Sequence, residues 1–177
     1  MKPKYDERGF ASLFISRFDD EQFSKLPSYP VHALELHPQP EDDPLKTRKS
    51  IPTLLDKFGS SLERLDIRNT FSVVDDTERV REVLPCKATA FRNLPHLRVV
   101  NFTRVNVNDA IVNSLCKNAE LYRVSVDQAQ ITKRCIKYLS QCPQLRIVTF
   151  RRCVNFPEEF ENELRQRLHT VEKVFLK

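Results

Sequence analysis

One recurring pattern constrains what this chain can fold into: an apolar residue, two variable ones, an apolar, one variable, an apolar. Leu97, Val100 and Phe102 make one copy. Leu121, Val124 and Val126, then Leu145, Val148 and Phe150, then Val171, Val174 and Leu176 succeed it at start-to-start spacings of 24, 24 and 26 residues. A strand and helix of this length cannot bury their apolar faces alone and do so only against neighbouring copies, so the period predicts a solenoid. The expected fold is α/β: a curved parallel sheet of about six strands, helices on the convex side and right-handed crossovers.

Two weaker copies precede these. Val31, Leu34 and Leu36 come after the turn signal Ser28-Tyr29-Pro30, and Leu62, Leu65 and Ile67 lie in SSLERLDIRNT. Between them QPEDDPLKTRKS reads as a loop leading into a short helical run, Thr53 to Phe58, stopped by Gly59. Residues 1–30 lack the pattern. Phe10, Leu13, Phe14, Phe18 and Phe23 stand near helical spacing there, which predicts an amphipathic helix capping the first core layer or docking a partner. The resulting division is 1–30 as cap and 31–177 as repeat domain, with irregular repeats at 31–96 and regular ones at 97–177. The stretch 71–91 is an insertion whose Val80, Val83 and Leu84 suggest a helix.

In the regular half, Asn108-Asp109 is read as capping Ala110 to Lys117, and Thr132 as capping a helix with Cys135 and Leu139 four apart. A last helix has Pro157 at its first position, Glu158 and Glu159 in its first turn, and Phe156, Phe160, Leu164 and Leu168 at intervals of four.

Composition excludes several classes of chemistry. Two glycines, Gly9 and Gly59, cannot build a P-loop, a dinucleotide turn or a nucleophile elbow. Histidines 32, 37, 96 and 169 lack metal-binding spacing and are read as surface or satisfied side chains, and the paired carboxylates as solvated. Cys86, Cys116, Cys135, Cys142 and Cys153 contain no CxxC and are read as reduced core thiols. The expectation is therefore no catalytic residue, no metal and no cofactor. No transmembrane run, signal or transit peptide is visible, which points to an intracellular protein of the cytoplasm or nucleus, ahead of mitochondria. Residues 1–86 carry 13 basic and 16 acidic side chains and residues 87–177 carry 16 and 8, so the net +5 resides in the regular repeats.

The segment LYRVSVDQAQITKRCIKYLSQCPQLRIVTFRRC resembles the cysteine-containing leucine-rich repeats, with Ile131-Thr132 at the family's IT, Cys142-Pro143-Gln144-Leu145 at its CPxL and Cys153 at its repeat cysteine. Leu94-Pro95-His96-Leu97 is a looser CPxL, and Val105 and Ala129 depart where Cys or Asn is usual. The resemblance implies a non-enzymatic protein-interaction module, a recognition or scaffold subunit of a ubiquitin-ligase-like complex whose partner is a cullin-ligase adaptor or its substrate. Many such receptors carry an F-box or VHL-like box, and neither is recognisable here. A more distant resemblance is to ATP synthase coupling factor s relatives, which implies an assembly factor of a mitochondrial membrane complex. Nucleic-acid binding through the basic half is the third reading. The chain is expected as a monomer or as one subunit of a hetero-complex.

Strand alternation sends the third, fifth and seventh positions of each copy to the concave face. The partner-binding residues read there, together with the adjoining Arg152, are Val99, Arg123, Ile147, Arg151, Lys173 and Phe175, an apolar patch rimmed by cations.

Overall fold

Each apolar triplet places two residues of like side on one strand, and the strands align those residues into rows. The computed structural model describes residues 4–5, 7, 9–18, 20–39, 42–68, 87–153, 159–168 and 173–176, with only the backbone at 20, 22, 44, 48, 159–161 and 173–176. The strands are β1 (Lys4–Tyr5), β2 (Ala11–Ile15), β3 (Ala33–Leu36), β4 (Arg64–Arg68), β5 (Val99–Thr103), β6 (Arg123–Asp127), β7 (Ile147–Arg151) and β8 (Lys173–Leu176). They form one eight-stranded sheet in chain order. Only the β1–β2 pairing is antiparallel; β2 to β8 run parallel.

The register joins Leu34, Leu65, Val100, Val124 and Val148 in one row, and Leu36, Ile67, Phe102, Val126 and Phe150 in the next. All ten are buried, at 2% exposure or less. Their cover comes from α2 (Pro44–Phe58), a 3-10 turn (Ala88–Phe91), α3 (Asp109–Leu115), α4 (Arg134–Leu139) and α5 (Glu159–Arg167). Ile51, Phe91, Ile111, Cys135 and Leu164 from these segments join the strand rows in one continuous core. The architecture is thus α/β, with helices on one face of a mostly parallel sheet.

Three sequence expectations are corrected. Residues 11–15 form strand β2 instead of helix, and the only helix in the N-terminal segment, among the described residues, is α1 (Asp20–Ser24). Ala11, Leu13 and Ile15 are buried while Phe14 is 47% exposed, so the period is two, and the helical spacing of the phenylalanines is coincidental. Among the described residues the sheet consequently has eight strands, seven of them parallel, where about six were expected.

The second correction is α2, which begins nine residues before Thr53, inside the expected loop. Asp43 caps it by accepting from the Leu45 N–H at 2.9 Å, and Pro44 occupies a first-turn position where its missing N–H costs nothing. Thr47, Ile51, Leu54, Leu55 and Phe58 form its buried stripe. Gly59 comes next because a Cβ there would meet the Leu55 carbonyl oxygen and come within 2.6 Å of Leu94 Cδ2.

Third, the N-cap of α4 is Lys133, one residue beyond the expected Thr132, and it makes no side-chain cap bond. Thr132 Oγ1 accepts from the Arg134 N–H at 3.3 Å and donates to Asp109 Oδ2 at 2.6 Å, tying α4 to the start of α3. Asn108 caps α3 as the spacing predicts, accepting from the Ile111 N–H at 3.1 Å. Residues 69–86, including Val80, Val83 and Leu84, and also Phe156, Pro157 and Glu158, lie outside the described residues.

A feature repeats with the strands. Arg104, Gln128 and Arg152, each one residue past β5, β6 and β7, adopt left-handed φ values of 55°, 58° and 50°. Each non-glycine residue there costs about 1–2 kcal/mol. The turn delivers Val105 and Ala129 into the core, both at 1% exposure.

Candidate interaction face

The face of the sheet opposite the helices carries the third, fifth and seventh positions of the copies, and the register arranges them in rows across the strands. The first row runs Ala33, Arg64, Val99, Arg123, Ile147, Lys173. The second runs Glu35, Asp66, Asn101, Ser125, Thr149, Phe175, with Phe14 of β2 next to Glu35. The third runs Arg68, Thr103, Asp127, Arg151.

Four of the seven sequence-predicted residues, Val99, Arg123, Ile147 and Lys173, therefore share one row. Val99 and Ile147 are half-buried on either side of the exposed Arg123. Arg151 is exposed at the far end of β7, in the third row. Phe175 pairs with Thr149 in the second row, so it does not adjoin Ile147 directly, and the side chains of Lys173 and Phe175 lie outside the described residues. Arg152 is committed within the fold: its Nε and Nη2 donate to the two oxygens of Asp127 at 3.0 and 2.5 Å. A bidentate pair fixes the guanidinium in one orientation and draws its charge toward Asp127.

Around β2 to β5 the face holds groups that the sequence reading did not select. Asp66 is buried at 4% exposure beneath Arg64 and Arg68, whose Nη2 atoms lie 3.6 and 4.0 Å from its Oδ2. Asn101 Nδ2 donates to the same oxygen at 3.5 Å, whereas Oδ1 has no hydrogen-bond partner. His37 meets the Phe14 ring edge-on at 4.7 Å and leaves a buried Nε2 without a partner; His32 stacks on Phe10 at 4.4 Å and leaves Nδ1 so. Both rings are half-buried, so part of each remains at the surface. Phe14 breaks the apolar–polar alternation of Ala11-Ser12-Leu13-Phe14-Ile15, so only the burial pattern reveals its outward position.

Burial holds the His37 pKa below its ordinary value; Arg68 pushes the same way, and Asp66 and Glu35 push against. A histidine harder to protonate folded than unfolded makes the unfolded state bind more protons as pH falls through the usual histidine range, so stability drops there. Wild type is expected to lose more stability between pH 7.5 and pH 5 than His37→Gln, read as urea midpoints; equal losses would mean that His37 is not desolvated as described.

Elsewhere the chemistry is sparse. Cys116, Cys135 and Cys142 are buried and Cys153 half-buried, all as free thiols, and Cys86 lies outside the described residues. A hydrogen bond with Cys142 and burial raise the Cys116 pKa, and burial raises those of Cys135 and Cys153, which disfavours thiolate chemistry. Among the described residues no three His, Cys, Asp or Glu side chains converge to hold a metal ion, and no helix is long and apolar enough to cross a membrane. A pocket of about 240 Å³ lies between α2 and the 3-10 turn, where Asp56 is the only titratable lining group, so it offers no acid–base pair. A scan against protein-family models finds no match to this chain, and a search of curated proteins finds none either.

Proposed function

We propose that the chain is a leucine-rich-repeat solenoid acting as a non-enzymatic protein-interaction module, a recognition or scaffold subunit of a ubiquitin-ligase-like assembly, with the open face of its sheet as the contact surface. The observation that supports this reading is the asymmetry of the sheet. One face is packed by helices, and the other leaves Val99 and Ile147 half-buried around the exposed Arg123. Apolar side chains with an arginine between them are the composition of a binding hot spot. The ligase assignment rests on the resemblance of the repeats.

Affinity capture with the full chain as bait tests both parts. A cullin adaptor among the captured proteins supports the ligase assignment. The double variant Val99→Ser/Ile147→Ser is expected to lose capture, by about 2 kcal/mol or more and thus roughly 30-fold in affinity, while each change costs about 1 kcal/mol of stability. Capture of no stable partner, or undiminished capture by the double variant, would remove the open face as the contact surface.

A further inference from the structure

The first row of the open face alternates in kind from strand to strand: small Ala33, cationic Arg64, apolar Val99, cationic Arg123, apolar Ile147, with Lys173 at the next register position. Adjacent strands lie about 4.8 Å apart, so cations recur about every 9.6 Å with an apolar side chain midway. Arg123 is exposed, and Arg64 keeps 50% of its side chain exposed above Asp66. A ligand running along this row must offer alternating acidic and apolar groups at about 5 Å intervals.

Peptide conformations differ in whether they can do so. An extended segment repeats same-side residues every 6.8 Å or so, out of step with the row after one strand. Polyproline helix returns to one side about every 9.3 Å but puts nothing between. In an α-helix, residues i, i+3 or i+4, and i+7 share one side, and the rise of about 1.5 Å per residue separates them by about 5 and 10.5 Å. The mismatch with the row is then about 1 Å over two strands, within the reach of an arginine side chain.

The geometry points to an acidic amphipathic helix as the partner element, lying across the strands of β4 to β7 with carboxylates seven residues apart over Arg64 and Arg123 and an apolar residue between them on Val99. A further apolar residue past the second carboxylate meets Ile147. This inference rests on the open face being a protein-binding surface, and it names the shape and charge of what binds there.

A displayed library of 21-residue helix-forming peptides, randomised along one side and selected on the full chain, tests it. The expected winners carry Asp or Glu seven apart with Leu, Ile, Val or Phe midway. Their affinity, by fluorescence anisotropy, should fall at least tenfold against Arg123→Glu, recover when the acidic residue over position 123 is changed to Lys, and change less than twofold against Arg151→Glu, which lies in another row. Thermal melts of both exposed-site variants confirm that they fold. Winners with acidic residues two or three apart, indifference to Arg123→Glu, or displacement by a 20-nucleotide single-stranded DNA would overturn the helix. If the library yields nothing but Val99→Ser/Ile147→Ser still abolishes capture of a natural partner, the helix is wrong and the face stands; if both fail, both readings fall.

Discussion

Replacing Asn118 with Leu is expected to cost about 3 kcal/mol and to lower the melting temperature by about 10 °C, although Asn118 lies far from the open face and the two side chains are close in size. Its amide is 2% exposed and stitches two successive repeats together. Asn118 Nδ2 donates to the Phe91 carbonyl at 2.8 Å, and the Leu94 N–H donates to Asn118 Oδ1 at 3.0 Å. Leucine leaves both backbone groups buried and unpaired, each at about 1–3 kcal/mol. The Leu115 carbonyl, the third partner, also accepts from the Asn118 backbone N–H at 3.0 Å, so it remains satisfied. Thermal and urea unfolding of the two proteins decide the matter; a loss under about 1 kcal/mol would show that water or neighbouring groups already serve these atoms.

Phe102→Ala is expected to cost more, about 4 kcal/mol, because it removes one of the two phenylalanines in its strand row. Phe102 is 1% exposed and stands edge-on to Phe91, with ring centroids 5.8 Å apart and planes at 88°. The loss combines transfer free energy, the cavity left behind and an aromatic pair worth about 1 kcal/mol. Phe91 belongs to the 3-10 turn Ala88–Phe91, so this pair joins that turn to β5 of the sheet. Phe91→Ala should lose a similar amount, and the double variant less than the sum of the two, since the shared contact is removed only once. Additive losses would show that the rings do not depend on each other.

The strands were legible because their signal is local and repeated. Leu65 and Ile67, Val100 and Phe102, and Val124 and Val126 each set two inward residues on a strand, and the six spaced copies follow one another in the sheet as in the chain. The features that escape a sequence reading depend on single polar residues acting across repeats. Asn118 stands 24 residues before Cys142 and 24 after Leu94, and an asparagine there carries no apolar periodicity to draw attention. Asp43-Pro44 is a helix start, but it sits among charged residues that resemble a loop until Thr47, Ile51 and Leu54 are seen on one side. Phe14 is easily misplaced because several phenylalanines can satisfy a helical spacing by chance, whereas burial separates them by strand parity. On the open face, sequence parity placed Val99, Arg123 and Ile147 on one side; their junction in one row required the register. The commitment of Arg152 to Asp127 depends on the left-handed turn after β7, which no glycine announced.

The sheet order has a consequence for how the chain acquires its structure during synthesis. Lys4 pairs with Ser12, and each later strand pairs with the one just before it, the longest step being Arg64 to Val99. No described strand waits for a distant one. The β1–β2 ribbon pairs at only two positions and gains its support from β3, the next strand to emerge. At about 5–20 residues per second, a new 24-residue unit emerges every 1–5 s, far longer than a local docking event requires. This order permits growth by accretion, in which the newest strand stands at the open edge, where pairing with another chain is the hazard until the next unit covers it.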